Sequence, residues 1–157
     1  MEAKEYLAEL ERLNIIIENK CNEVSEMREA LKNPGSPNFQ SEKVSGGFLP
    51  GTSGPQKKVS DLSAAEKELD IMIDEYNYFR KRMINQIYKL RNKTHVKFLY
   101  KRYIEGKALR RIAEEIHKNY EYTRQLNTIS LNDFAKVHEK FLKNFTIFSY
   151  RLEQFRT

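Results

Sequence analysis

The stretch LRRIAEEIHKNYEYTRQL, Leu109 to Leu126, decides how this chain is read. Leu109, Ile112, Ala113 and Ile116 recur at helical spacing, a polar corner follows, and a second helical pattern begins near Asn119 or Tyr120. Two helices that cross closely need a small residue at the crossing, and Ala113 supplies it. Ile112 and Ile116 on one side and Leu126 on the other provide a shared apolar contact. That leaves Tyr120, Glu121, Tyr122, Arg124, Gln125 and Thr128 as an outer face with nothing in the stretch to bury them. Three positions depart from the usual pattern of such a corner. His117 stands where a turn glycine is common, Lys118 where an apolar residue is usual, and Thr123 where a valine or isoleucine is expected.

Charge says what could cover that face. Lys and Arg number 9 against 15 Asp and Glu in residues 1–79, a net of −6, and 19 against 7 in residues 80–157, a net of +12. A basic half of this kind attracts nucleic acid, anionic membrane surfaces or acidic proteins. Arg and Gln side chains make paired hydrogen bonds with guanine and adenine edges, and tyrosine stacks or reaches a phosphate oxygen. Lys107, Arg110 and Arg111 at the start of the first helix suit backbone phosphates, and Lys118 and Asn119 at the corner are expected among the DNA-binding residues. The expected partner is therefore double-stranded DNA, read in its major groove by the helix from about Tyr120. The bland alternative is a polar face that water alone covers.

Upstream, Tyr6, Leu10, Leu13, Ile17, Val24, Met27 and Leu31 step by four and three, with Lys20 interrupting, so residues 1–32 read as one heptad-patterned helix. Residues 33–58 hold most of the proline and glycine without periodicity and read as a flexible linker. A second stripe runs through Leu62, Ala65, Leu69, Met72, Tyr76, Phe79, Met83, Ile87 and Leu90, giving a long helix over 59–92 with Ser60 as its cap. A helix of about 30 residues is on the order of 45 Å long and must lie against another long helix. The partner is either the first helix, folded back as a hairpin, or a second copy in a coiled-coil homodimer. The expected fold is all-α: two long heptad helices joined to a helix-turn-helix domain at 94–131. In that domain Thr94 caps a first helix carrying Val96, Leu99, Tyr100 and Tyr103, and Gly106 ends it. Beyond, Phe134, Val137, Phe141, Phe145, Phe148, Leu152 and Phe155 mark an aromatic-rich last helix over 132–157, expected to pack on the long helix, with a dimer contact as the alternative.

Other chemistry is not expected. Cys21 is the only cysteine, so neither an intrachain disulfide nor a thiolate zinc site can form, and no metal or cofactor is anticipated. No phosphate-cradling glycine loop or nucleophile motif occurs, and His95, His117 and His138 are scattered, so the chain does not read as an enzyme. The acidic, amphipathic start is unlike a signal peptide and no apolar run reaches membrane-spanning length, which points to the cytoplasm.

The stretch FLYKRYIEGKALRRIAEEIHKNYEYTRQLNTISL resembles the C-terminal domain of the ArpU and RinA-like late-operon regulators of phages, whose helix-turn-helix is similar to region 4 of bacterial sigma factors. AKEYLAELERLNIIIENKCNEV looks like that family's N-terminal helix, EKVSGG like its linker motif and VSDLSAAEKELDIMIDEYNYFRKRMINQI like its long middle helix. The resemblance covers roughly residues 3–131. Family members tend to carry Tyr-Ser at Lys118 and Asn119, and histidine and alanine at Asn127 and Ser130. The resemblance implies activation of phage or prophage genes in a bacterial host cell, at promoter DNA near the host RNA polymerase. Two other functions fit the same pattern of elements. One is a phage DNA-packaging recognition subunit, which also joins a helix-turn-helix to coiled coils; the other is a coiled-coil adaptor that binds protein and no DNA.

Overall fold

A computed structural model describes residues 2–32 and 54–145. All regular structure among them is helical, in six α-helices with no strand: α1 (Ala3–Lys32), α2 (Gly54–Ile87), α3 (Lys93–Leu99), α4 (Leu109–Glu115), α5 (Tyr120–Val137) and α6 (Glu139–Asn144). The chain divides into two units, Ile15–Asp74 on the one hand and Met1–Asn14 with Glu75–Thr157 on the other.

The smaller unit takes the last part of α1 and the first part of α2. Among its described residues Val24 and Ala65 are the buried apolar ones, while Ile15, Val59 and Ile71 are more than half exposed. Charge spans the two helices: Arg28 reaches Glu66 at 2.8 Å and Lys20 reaches Glu68 at 3.0 Å. Lys20, the residue that breaks the heptad stripe, also meets Glu23 at 3.0 Å. Its bonds to Glu68 and Glu23 raise its pKa above the ordinary lysine value. The expected helix start at Ser60 is superseded, since α2 begins at Gly54 and includes Ser60 in its interior. A proline in a first helical turn lacks only an N–H that has no partner there, so Pro55 does not prevent the earlier start. Residues 33–53 of the expected linker lie outside the described residues.

The larger unit is built around Tyr6. Its ring is fully buried and meets four phenylalanines: Phe145 at 4.8 Å, Phe141 at 5.3 Å, Phe79 at 5.4 Å and Phe134 at 6.1 Å between centroids. Three of these contacts are edge-on, the geometry that the aromatic quadrupole favours. The Tyr6 hydroxyl donates to the side-chain oxygen of buried Gln86. Leu7, Leu10, Met83, Ile87, Leu99 and Ile112 extend this core.

Three local features differ from expectation. The cap of α3 is Asn92, whose Oδ1 accepts from the Thr94 N–H at 2.9 Å, in place of Thr94 itself. After Leu99 the helix widens into a π-helical turn, Tyr100–Ile104, closed by the Glu105 N–H on the Tyr100 carbonyl at 3.0 Å. Gly106 then ends it at φ +67°, as its position suggests. Finally, α5 runs unbroken past Leu131 to Val137, so no helix begins at 132. The break comes at His138, and Phe134, Phe141 and Phe145 pack against both α1 and α2 through Tyr6 and Phe79. Phe148, Leu152 and Phe155 lie outside the described residues.

This core can be probed at two side chains. Tyr6→Phe keeps the ring but leaves the side-chain oxygen of Gln86 unpaired in the interior, and should cost about 1–2 kcal/mol in chemical denaturation. His138 is buried and its Nε2–H donates to the Gln86 backbone carbonyl at 2.9 Å. Burial lowers its pKa below the ordinary 6.5, more than the bond to Gln86 raises it. Just below 6.5 the unfolded chain takes up this proton and the folded chain resists it, so stability is lost as the pH falls through that region. Glu115 and Glu139, whose pKa values are lowered from 4.5, weaken the fold only in more acid solution. Thermal melts between those limits should show a falling midpoint that His138→Gln flattens; an unchanged slope would count against this assignment.

Candidate nucleic-acid interface

The corner between α4 and α5 owes its shape to two bonds. The Lys118 N–H donates to the Ala113 carbonyl at 3.0 Å and the His117 N–H to the Glu114 carbonyl at 3.1 Å. This pairing satisfies the last carbonyls of a helix and requires a left-handed residue after the cap. That residue is His117, at φ +54°, the only non-glycine residue with positive φ among those described. Across the corner Asn119 caps α5, its Oδ1 accepting from the Tyr122 N–H at 2.7 Å. Thr123, where an aliphatic residue is expected, is fully buried and its hydroxyl donates to the Asn119 carbonyl at 3.0 Å. The hydroxyl therefore enters the interior with its bond made.

Thr123, Leu126, Ser130 and Phe134 form the buried stripe of α5, and Ile112 and Ala113 are the buried residues of α4. On the opposite side of α5, Tyr120, Glu121, Tyr122, Arg124, Gln125 and Thr128 are all exposed. All six side chains are thus open to solvent, spread over the part of α5 that the core leaves uncovered. Within it Arg124 lies 3.2 Å from Glu121, a solvated pair that a stronger anion displaces at little cost. Lys118 sits 5.8 Å over the Tyr122 ring.

The flanking cations are not equivalent. Arg110 is exposed, as are Lys118 and Asn119. Arg111 is exposed with Glu114 at 3.6 Å and Glu115 at 3.7 Å. Lys107 is held between Glu105 at 2.8 Å and Glu115 at 2.7 Å, which raises its pKa well above the ordinary lysine value. Glu115 also pairs with Lys101, and its bonds to Lys101 and Lys107 hold its carboxyl down to about 2. Lys107 thus braces the approach to α4, with the Arg102 guanidinium donating to its carbonyl at 2.9 Å. The side-chain oxygen of Asn119 is likewise committed to its cap, leaving its amide nitrogen for a ligand.

Sequence reasoning missed the contribution of α3. A cleft of about 290 Å³ beside the start of α5 has Phe98, Ile116 and Leu126 for its floor and Lys97, Lys101 and Lys118 at its edge. The four-residue spacing of Lys93, Lys97 and Lys101 was the available signal. His95 fixes α3 to α5 through an Nδ1 contact of 2.7 Å with Asp133.

No protein-family model, curated protein or solved structure matches the chain. No helix among the described residues is long and apolar enough to cross a membrane, and no group of three or more potential metal ligands occurs among them.

The left-handed backbone at His117 carries a specific expectation. A side chain at such a φ costs roughly 1 kcal/mol that glycine does not incur. His117→Gly should raise stability by about that amount, less the extra freedom it gives the unfolded chain, when denaturation midpoints are compared. A clear loss of stability would mean that the imidazole makes a contact outweighing its backbone strain.

Proposed function

We propose that the chain is a sequence-specific, double-stranded DNA-binding regulator of transcription, in which α4 and α5 form a helix-turn-helix and the first turns of α5 enter the major groove. The observation that carries this reading is the two-sidedness of α5. One face is anchored in the core through Leu126 and Phe134, and the other exposes Tyr120, Tyr122, Arg124 and Gln125. Arg110, Arg111, Lys118 and the α3 lysine Lys97 stand at the margins of that face as phosphate contacts. In this reading the long helices α1 and α2 fold back on each other as a hairpin. The resemblance to phage late-operon regulators makes a phage or prophage promoter the natural target, in the cytoplasm of a bacterial host and near its RNA polymerase. A homodimer would bind two half-sites related by its own symmetry.

The test is selection of bound duplexes from a random library, followed by affinity measurements on the selected site and a scrambled one. Binding should fall steeply with added salt. Arg124→Ala with Gln125→Ala should cost about 1–3 kcal/mol on the selected site for each bidentate pair removed and little on the scrambled one, with helical content unchanged. Preference that survives the double change would remove α5 as the reading element. An adaptor that binds only protein would show no duplex affinity, and a ring-sized oligomer would favour a packaging subunit.

A further inference from the structure

The most basic run of the chain is not on α4 or α5. From Tyr76 to Ile104 there are nine Lys and Arg residues and no Asp or Glu. The end of α2 and the turn after it place part of this run at a groove of about 600 Å³, lined by Tyr78, Lys81, Arg82, Asn85 and Lys89 with His138 and Phe141 from the end of the chain's described part. No carboxylate lines it. The spacing of Tyr78, Lys81, Arg82, Asn85 and Lys89 is that of one helix face. Arg82 is held in position, its guanidinium 4.7 Å over the Phe141 ring. Lys81 and Lys89 are exposed and make no ion pair among the described residues. His138 fixes the far wall through its bond to the Gln86 carbonyl.

We infer that this groove is a second nucleic-acid contact, gripping the phosphate backbone of a duplex through Lys81, Arg82 and Lys89 independently of base reading by α5. Charge complementarity favours phosphate. Lys81 on α2 and Lys89 in the turn just past its end are eight residues apart, on the order of 12 Å at helical rise, the rise of roughly three or four phosphates on one strand. The Tyr78 hydroxyl and the Asn85 amide lie between or beside the cations, as groups that reach phosphate oxygens. An amphipathic peptide is a poorer fit, because such partners need aliphatic anchors in a pocket, and no aliphatic side chain lines this groove. His138 closes α5 at the end opposite Tyr120, so it stands roughly 20 Å along the helix from the proposed reading residues Arg124 and Gln125. The inference rests on the reading of the chain as a duplex binder, and adds a contact that carries no sequence information.

The experiment uses the full chain and a labelled duplex over a series of salt concentrations, comparing wild type with Lys81→Ala/Lys89→Ala. Each phosphate contact removed lowers the slope of log affinity against log salt by about 0.9, so the double variant should lose about 1.8. The reduction should be the same on selected and scrambled duplexes, and thermal melts should show the fold intact. Lys57→Ala/Lys58→Ala, which removes equal charge from the other unit, should leave the slope unchanged. Equal reductions in both variants would show that only overall charge matters and overturn the groove as a site. A wild type that binds duplex with the same slope as Lys81→Ala/Lys89→Ala overturns it too, and would turn attention to acidic polypeptides such as polyglutamate. A wild type that binds no duplex at all overturns the regulator reading first, and this inference with it.

Discussion

The interaction on which the larger unit depends is the insertion of one tyrosine among four phenylalanines. Tyr6 comes from α1, Phe79 from α2, Phe134 from α5, and Phe141 and Phe145 from α6 and its end. Aromatic rings bury large areas with few rotatable bonds, so this cluster gives a small helical unit much of its apolar contact at a modest entropic cost. The hydroxyl is what makes the position specific. Burial pushes the Tyr6 pKa well above its ordinary value, keeping the group a neutral donor aimed at Gln86. Gln86 in turn presents its backbone carbonyl to His138. One glutamine thereby ties the beginning of α1 and the junction of α5 and α6 to the end of α2.

That arrangement explains how α5 can be exposed and rigid at once. Its second half is clamped by Phe134 in the aromatic cluster, and by Asp133 against His95. Its first half is fixed by the cap at Asn119, the buried Thr123 and the contact of Leu126 with the core. The side chains between those anchors on the outer face, Arg124 and Gln125 among them, are carried by a rigid element, which holds a binding geometry better than a loop does. Ser130 is one of two imperfect points of this helix, since its buried hydroxyl, like the side-chain oxygen of Asn127, has no hydrogen-bond partner. An alanine at this place would leave no such group.

Much of this is legible in the sequence where a local rule governs. The inward stripe Ile112, Ala113 and Leu126, the start of α5 at Asn119, the left-handed Gly106 and the outward set on α5 all follow from spacing and backbone preference. His117 and Thr123 stand out as departures, and the structure shows how each is absorbed: the histidine takes the left-handed conformation itself, and the threonine returns its hydroxyl to the backbone. What cannot be read there depends on distant partners. Nothing near Lys20 announces Glu68, and nothing near Lys107 shows that Glu115 would hold it. The start of α2 lies earlier than its proline and glycine content suggests, because a proline in a first turn is tolerated. The uninterrupted α5 defeats a boundary drawn at Leu131, where composition changes and the helix does not. The cationic groove needs His138 and Phe141 brought beside α2, although its acid-free run stands in plain view.

The Tyr6 cluster also sets an order of events for the growing chain. Its hydroxyl meets a partner 80 residues further on, and its ring, which meets Phe79 a little sooner, waits longest for Phe145. At ribosomal rates that interval is on the order of ten seconds. The contacts among α3, α4 and α5 are local and can close as they emerge. The opening turns of α1 have no such neighbour, and their apolar side is covered in stages, first by α2 and completely only when the last described helix arrives.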